Sequence, residues 1–422
     1  MQNPSQLARR LGLPDAIVIG LGSMLGAGVF AAFTPAARAA GNGLFVGLAV
    51  AAIVAFCNAT SSAQLAAQYP TSGGTYVYGR ERLGPWWGFV AGWSFVIGKT
   101  ASCAAMAITF AAYAAPPGWE RPVAVAAVLA LAAVNYVGIS RTAAVSRVIV
   151  VVVLLTLAVV VAAGASAGYP AAQAADATTL VSAGPYGILQ SAGLLFFAFA
   201  GYARIATLGE EVRTPERTIP RAITIALAVV VVVYALVAAT LLGTLGAHGV
   251  AGSTAPLRDA VEVAGWGWAA PVVRVGAAAA SLGALLALIA GVGRTTLAMA
   301  REGDLPRWLG AVHPRFFVPH RAEIALAIAV SLLVLVVDLR SAIGFSSFGV
   351  LLYYTVANIA AFSQPVDRRR YPRILPLIGV IGCLVLVATL PLGAIVVGLG
   401  VVFFGVGYRL ITRRAGGAPP ST

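Results

Sequence analysis

One stretch decides how this chain folds: Gly20-Leu21-Gly22-Ser23-Met24-Leu25-Gly26-Ala27-Gly28-Val29-Phe30. It is apolar enough to cross a bilayer, yet its glycines stand where a spanning helix keeps its hydrogen-bond ladder intact. A second stretch has the same character: Phe196-Phe197-Ala198-Phe199-Ala200-Gly201-Tyr202-Ala203-Arg204. Irregular backbone at membrane depth is tolerated only where protein or a water-filled cavity surrounds it. A matched pair of such helix breaks therefore predicts a binding site and is typical of a transporter.

The composition places the whole chain in a membrane. Of its 422 residues 60% are hydrophobic and only 10% are charged. The mean hydropathy of +0.91 is higher than that expected of a soluble globular domain. Since a spanning helix needs roughly 20 apolar residues, the sequence predicts an all-α membrane protein of about twelve spans. They begin near Pro14, Leu44, Trp86, Arg121, Ala143, Pro185, Ile219, Trp268, Ala322, Ser341, Ile374 and Leu392.

The basic residues are distributed by loop. A net charge of +14 would suggest nucleic acid binding in a soluble protein, but here twenty arginines fall in connections on the N-terminal side of the predicted spans and five on the opposite side. Under the positive-inside rule this asymmetry places both termini in the cytoplasm. We therefore expect a multi-pass protein of the cytoplasmic membrane, in contact with lipid and not with nucleic acid.

The sequence predicts no metal site, no cofactor and no enzymatic chemistry. Cys57, Cys103 and Cys383 fall inside predicted spans without loop partners, which argues against a zinc site or a disulfide framework. The glycine-rich run does not follow a strand, as a dinucleotide motif requires. Glu210 and Glu211 stand at a helix end beside several arginines, a setting more typical of gate ion pairs than of paired catalytic carboxylates.

The spacing of the two helix breaks predicts an internal repeat. They lie five spans apart, and an odd number of spans makes the second repeat enter the bilayer from the opposite face. We expect a single transmembrane domain over residues 1–412, with one repeat over about 14–167, a second over about 185–363, and helices 11 and 12 over about 374–411. Residues 413–422 are expected to form a disordered cytoplasmic tail.

Three motifs resemble those of the amino acid-polyamine-organocation superfamily of permeases. The first is Gly22-Ser23-Met24-Leu25-Gly26-Ala27-Gly28-Val29-Phe30, and the second joins residues 196–202 to the run from Gly209 to Ile223. The third comprises Gly293-Arg294, residues 298–306, and Val312-His313-Pro314. The resemblance covers nearly the whole chain. It implies the LeuT-type five-plus-five inverted repeat, with helices 1 and 6 discontinuous, and transport of amino acids or related amines.

The two breaks offer a site for an amino acid zwitterion. Unwound backbone over Leu25 to Gly28 frees N–H groups for a carboxylate, and carbonyls over Ala198 to Gly201 suit an ammonium group. The competing explanation is that the glycines merely allow close helix packing. Phe197 resembles the aromatic residue that caps the substrate in the family. The expected substrate-binding residues are Met24, Leu25, Gly26, Ala27, Gly28, Cys103, Met106, Phe197, Ala198, Phe199, Ala200 and Gly201.

Lys99 is the only lysine of the chain and lies in the middle of the third span. A charge at mid-bilayer costs about 3 kcal/mol or more, so an ionisable residue there is a functional hypothesis. Arginine cannot release its proton there, whereas lysine can. Proton-coupled members of the superfamily are associated with a lysine in the fifth helix, but the corresponding stretch 149–155 has none. We therefore expect Lys99, held beside the first break, to couple transport to protons.

Two further arginines fall within spans. Arg204 follows the second break, where it is expected to pair with Glu210 and Glu211 or to hold a substrate anion. Arg294 belongs to the third motif and is expected to bond carbonyls or those glutamates at an inner gate.

The sequence therefore predicts a secondary active transporter for a neutral, zwitterionic amino acid, working by alternating access with a proton or by exchange. No aspartate or glutamate is expected at mid-span to receive a cationic side chain. An anionic amino acid or another amine is the alternative substrate. A channel-like facilitator and a non-transporting sensor or partner subunit on the same fold are the alternative functions. The sequence makes no prediction of the oligomeric state.

Overall fold

The computed structural model of the protein describes residues 11–69, 73–137, 142–168, 180–209 and 211–415. Apart from one isolated bridge between Leu11 and Val212, the regular structure in these ranges is helical. The helices are α1 (Leu13–Met24), α2 (Ala27–Ala31), α3 (Phe33–Ala40), α4 (Leu44–Gln68), α5 (Gly74–Leu83), α6 (Pro85–Ala114), α7 (Glu120–Tyr136), α8 (Thr142–Ser166), α9 (Gly184–Phe199), α10 (Ala203–Ala206), α11 (Pro215–Gly252), α12 (Pro256–Val263), α13 (Ala270–Arg301), α14 (His320–Val336), α15 (Leu339–Phe362), α16 (Ile374–Thr389) and α17 (Leu392–Ala415).

Nine helical segments of the described ranges are long and apolar enough to cross a membrane. Three more of the predicted spans correspond to shorter helices: α7 and α14 have 17 residues each, and α16 has 16. Each predicted span begins at most four residues from the start of a helix, so the hydropathy pattern located the helices well. The protein is an all-helical, multi-pass membrane protein, as the composition predicted.

Local chemistry fixes the helix ends that frame the two breaks. At the start of α1, Pro14 fits the first turn and the side chain of Asp15 accepts a hydrogen bond of 3.1 Å from the N–H of Gly12. Inside α11, Gly246 has φ +66° and ψ 168°, a conformation open to glycine, and the helix kinks there. The bend turns the last part of α11 towards α12.

Packing places the breaks at the centre of the bundle. α1 packs against α8 and α11, and it touches the 3₁₀ turn Ala200–Tyr202 that follows α9. α4 packs on α9 and α11, while α6 packs on α13 and α15 from the other side. α16 covers α4 and α15, and α17 lies against α6 and α15.

The C-terminal boundary differs from the expectation. Residues 413–415 continue α17 rather than beginning a disordered tail. The rest of the predicted tail lies outside the described residues.

Candidate functional site

The first helix break is enclosed by the protein. Leu25 (φ −79°, ψ 24°) and Gly26 (φ −74°, ψ −147°) leave helical geometry, and Met24, Leu25 and Ala27 are buried. The predicted interruption extended to Gly28, but Ala27 and Gly28 already belong to α2. The first N–H groups of a helix have no partner within it. The break therefore leaves a short row of backbone donors inside the bundle.

The second break starts later than predicted. α9 continues through Phe199, so Ala198 and Phe199 are helical, and the interruption is the 3₁₀ turn Ala200–Tyr202 followed by the short helix α10. A 3₁₀ turn tightens the backbone rather than unwinding it. A Cβ at Gly201 would overlap the carbonyl of Ser23 and lie 2.6 Å from the nitrogen of Met24. The tight turn thus presses against the first break.

Glycines bring the two breaks into contact. A Cβ built on Gly28 would lie 2.6 Å from the Cα of Ala198, and one on Gly26 would lie 2.8 Å from the Cβ of Ala284 on α13. Close packing, the competing explanation in the sequence analysis, therefore describes these glycines in this conformation. The same contacts place Gly28, just after the first break, against Ala198, just before the second.

Tyr234 of α11 links the breaks through its hydroxyl group. The hydroxyl lies 2.5 Å from the carbonyl of Met24 and 3.0 Å from the carbonyl of Ala198. A phenol has one proton, so it donates to one of these acceptors at a time. The ring of Phe199 packs edge-on against that of Tyr234, with centroids 5.0 Å apart. The Tyr234 side chain thus contacts backbone carbonyls at both breaks.

Lys99 lies beside the second break. Its Nζ donates to the carbonyl of Ala200 over 3.4 Å, and the hydroxyl of Tyr354 donates to the same oxygen over 3.4 Å. The side chain is only 6% exposed, and within the described ranges no carboxylate lies in ion-pair distance of Nζ. The Lys99 ammonium was expected beside the first break, whereas it donates its hydrogen bond to Ala200 of the second break. The carbonyls of Ala198 and Ala200, expected to be free for a substrate, both have donors here.

The side chains around the breaks are mostly apolar. Cys103 and Met106 of α6 join Ala27 and Leu285 in one buried cluster, which ties the third predicted span to the first break. The remaining predicted side chains, those of Met24, Leu25, Phe197, Ala198, Phe199 and Ala200, are buried in the main core, and Gly201 is partly exposed. The predicted substrate side chains are therefore buried, in two separate apolar clusters.

Of the predicted gate charges, the three in the described part of the chain are Arg204, Glu211 and Arg294. Arg204 donates from Nη1 to Thr207 Oγ1 over 3.3 Å and interacts electrostatically with Arg294 and Glu211. Arg294 is exposed and makes no ion pair within 4 Å among the described residues. The carbonyl of Glu211 accepts from the N–H of Leu11 over 3.0 Å, so this residue holds the N-terminal segment through its backbone. Glu210 lies outside the described residues.

Sequence reasoning missed two polar side chains at the breaks and one buried carboxylate elsewhere in the bundle. Tyr234 was hidden in a run of valines, although a lone tyrosine in such a run is itself a signal. Tyr354 was not singled out among the polar residues of α15. Glu323 is 3% exposed in the first turn of α14, with its Cγ 3.0 Å from a Cβ built on Gly293, and it is attracted by Arg294.

Comparison with known proteins gives one consistent result. The family model described as amino acid permease matches residues 11–411. A protein named only as a transporter in Mycobacterium tuberculosis (strain ATCC 25618 / H37Rv) is 60% identical over 98% of this chain and 94% of its own length. A branched-chain amino acid permease of Bacillus subtilis (strain 168) is 26% identical over 91% of this chain and 88% of its own. A vacuolar cationic amino acid transporter of Arabidopsis thaliana is 28% identical over 84% of this chain and 63% of its own.

Proposed function

The chain belongs to the amino acid permease family and is a transporter, and from that premise we propose that it is a secondary active transporter of a neutral amino acid. Family and relatives indicate transport rather than enzymatic catalysis. The observation that carries the proposal is the direct contact of two interrupted helices at Gly28 and Ala198, with Lys99 bonded to the second interruption. Such interruptions at membrane depth mark the substrate site of alternating-access transporters.

The proposed architecture is a single domain of twelve membrane helices, ten of them in two inverted repeats of five and two more that follow the repeats. In the first repeat, over about 14–167, α1 to α3 form the discontinuous first helix. In the second, over about 185–363, α9 and α10 form the discontinuous sixth. α16 and α17 are the additional pair. The near coincidence of predicted spans and helix starts supports this assignment.

The proposed substrate site lies between the breaks. N–H groups at the start of α2 receive the carboxylate, because that end of a helix carries partial positive charge. The ammonium group is bound by the carbonyls of Ala198 and Ala200 once Tyr234 and Lys99 give way to it. Met24, Leu25 and Met106 bound the side-chain pocket, and Phe197 closes it.

The proposed substrate side chain is uncharged. The lining is apolar, and a cationic side chain beside the buried Lys99 would be repelled without a carboxylate to receive it. The relative from Bacillus subtilis is named for branched-chain amino acids, which agrees, whereas the Arabidopsis relative is named for cationic ones. An anionic amino acid is the second candidate, because Lys99 would attract it.

The proposed coupling uses Lys99. Its ammonium gives up a proton during the cycle, so that the side chain alternates between a charged state bonded to Ala200 and a neutral one. Uptake is then driven by a proton gradient, or substrate is exchanged across the membrane. Arg204, Glu211 and Arg294 are proposed to serve the inner gate as weakly paired charges.

Flux measurements with the purified protein in proteoliposomes test the proposal. Leucine, glutamate and lysine, each radiolabelled, are offered with the exterior more acidic than the interior. We expect leucine to accumulate above its external concentration and to undergo counterflow. Equilibration without accumulation or counterflow would identify a channel-like facilitator. Absence of flux for all three would favour a non-transporting protein.

We propose that the protein lies in the cytoplasmic membrane, with both termini in the cytoplasm. The native cysteines are all buried, so single surface probes are feasible. An impermeant maleimide applied to intact spheroplasts should label Thr254→Cys, before α12, and spare Asp367→Cys, between α15 and α16. The reverse labelling pattern would invert the topology.

A further inference from the structure

A stripe of buried polar side chains runs along α4 and α15, two helices that pack together. Its members are Asn58, Ser61, Ser62 and Gln64 of α4 and Tyr354 and Asn358 of α15. At its centre Asn358 Nδ2 donates to Asn58 Oδ1 over 2.6 Å and to the carbonyl of Tyr354 over 2.9 Å. The Cys383 thiol of α16 donates to the same Asn58 oxygen over 3.4 Å. Both amides are completely buried, where polar groups are kept only if they are bonded or useful.

Two tyrosines connect the stripe to Lys99. The hydroxyl of Tyr354 donates to the Ala200 carbonyl that also receives the Lys99 ammonium. The Tyr202 ring lies 5.0 Å from the Tyr354 ring, and the buried Tyr202 hydroxyl has no hydrogen-bond partner among the described residues. From Lys99 to Asn58, buried polar groups of Tyr354, Tyr202 and Asn358 therefore follow one another inside the bundle.

The stripe continues to the C-terminal ends of α4 and α15. Ser61 and Ser62 follow Asn58 within about one turn and are buried. Gln64 then donates from Nε2 to the carbonyl of Ala361 over 3.4 Å, and its Oε1 accepts from the N–H of Arg370 over 3.5 Å. This end lies on the face of the protein where most of the arginines are found.

Several side-chain atoms of the stripe have no hydrogen-bond partner in the part of the chain that the structure describes. They are Asn58 Nδ2, Ser61 Oγ, Ser62 Oγ and Asn358 Oδ1. Buried polar groups in folded proteins are normally satisfied by protein or by ordered water. Helix packing through polar contacts accounts for the Asn58–Asn358 pair. Helix packing does not account for the hydroxyls of Ser61 and Ser62, which have no hydrogen-bond partner within the described ranges. Nor does it account for the bond from Tyr354 to the Ala200 carbonyl, which also accepts from Lys99.

We propose that this stripe is the route by which the Lys99 proton reaches the arginine-rich face of the membrane. The inference rests on the coupling role proposed for Lys99. The ammonium releases a proton to water ordered by Tyr354 and Tyr202 and becomes a neutral amine. The proton then passes along water held by Asn58, Ser61 and Ser62 and leaves beside Gln64. The titratable neighbours of Lys99 are Cys103 on its own helix and Tyr354 on α15, and no carboxylate of the described residues is paired with it.

The test replaces polar groups of the stripe by apolar ones of similar size. In Asn358→Leu, uptake driven by an inward proton gradient should fall about tenfold or more, since positioned groups contribute at least that much to proton transfer. Counterflow between equal substrate pools, which needs no net proton movement, should stay near the parent rate. Asn135→Leu is the matched control: Asn135 Nδ2 donates to the carbonyl of Leu286 over 3.0 Å, outside the stripe, and both rates should be retained.

A second variant covers failure of the first to fold. Ser61→Ala with Ser62→Ala removes two hydroxyls without adding volume, and it should lower gradient-driven uptake and spare counterflow in the same way. If both variants keep gradient-driven uptake while Lys99→Met loses it, the proton leaves by another route and the coupling role of Lys99 stands. If Lys99→Met also keeps that uptake, the coupling role itself is wrong. Equal loss of uptake and counterflow would make the stripe structural.

Discussion

Two buried cations of this protein differ in almost every partner they have. Arg409 of α17 is 0% exposed, and its Nη2 lies 2.9 Å from Asp304 Oδ1. Its Nη1 donates to the carbonyl of Pro85 over 2.8 Å, and its guanidinium stands 4.6 Å from the ring centroids of Trp86 and Phe89. Lys99, at 6% exposure, has one bond of 3.4 Å to a carbonyl.

The surroundings of Arg409 are built to keep a permanent charge. Asp304 is 1% exposed. Its Oδ2 accepts a hydrogen bond from the Tyr76 hydroxyl over 3.0 Å and lies 3.7 Å from Arg80 Nη1. Burial, together with the negative charge of Asp304, raises the pKa of Tyr76, so its hydroxyl remains a donor at physiological pH. Arginine stays protonated under all these conditions. The cluster therefore fastens α17 and the segment after α13 to the start of α6.

The surroundings of Lys99 hold its charge weakly. Desolvation with few partners disfavours a charge compared with water, and lysine, unlike arginine, can release its proton. The contrast teaches that burial alone does not distinguish a structural cation from a working one. The number and charge of the partners do.

The largest effect is expected from breaking the Arg409 cluster. Asp304→Ala leaves a buried arginine without its carboxylate, and removing one partner of a buried pair costs about 3–5 kcal/mol. The apparent free energy of unfolding in detergent should fall accordingly. Asp367→Ala is the control: its ion pair with Arg368, at 3.4 Å, joins exposed side chains, for which about 0–1 kcal/mol is expected. Equal losses in the two variants would remove the distinction between the clusters.

Lys99→Met should act in the opposite direction on stability. It removes a poorly paired buried charge, so the apparent free energy of unfolding should stay constant or rise. Accumulation driven by a proton gradient should nevertheless be lost, while counterflow persists. Lys99→Arg should not restore accumulation, because a permanent charge cannot cycle. A marked loss of stability in Lys99→Met, with coupling intact, would assign Lys99 the same structural role as Arg409.

The sequence located the helices and the first helix break because hydropathy and glycine placement are local signals. The spans, the break at Leu25 and Gly26, and the family were all accessible from residue patterns. The donors that meet the break carbonyls were not, because Tyr234 comes from α11 and Tyr354 from α15, far along the chain. The exact start of the second break was also missed. Ala198 and Phe199 are helical, and Gly201 in the following turn lies against the backbone of Ser23, far away in the sequence.

The same reasoning explains why the Arg409 cluster escaped notice. Asp304 and Arg409 stand more than one hundred residues apart, each among other charges near a span end. Nothing in either local pattern distinguishes a buried ion pair from two solvated side chains. Pairing of this kind is set by tertiary packing, and a single sequence carries no record of it.

A smaller effect is expected from Tyr234→Phe, which tests a neutral donor at the breaks. The variant leaves the carbonyls of Met24 and Ala198 without this hydroxyl, and an unsatisfied buried acceptor costs about 1–3 kcal/mol. Because both breaks are affected, the transport rate should fall in counterflow as well as in gradient-driven uptake. Loss of gradient-driven uptake alone would place Tyr234 with Lys99 in proton coupling. Tyr113→Phe, at the carbonyl of Phe30, is the control away from the breaks.

The smallest effect is expected from Arg409→Lys, which asks whether charge or shape holds the structural cation. Lysine keeps the attraction to Asp304 but forfeits the planar guanidinium that reaches Asp304, the Pro85 carbonyl and two aromatic faces together. A cation–π contact in a desolvated site is worth about 2 kcal/mol, part of which an ammonium retains, so a loss of about 1 kcal/mol in the free energy of unfolding is expected. Counterflow and gradient-driven uptake should both remain at the parent level, since this cation never changes charge. A selective loss of gradient-driven uptake would show that Arg409 also takes part in proton movement, and the contrast with Lys99 would fail.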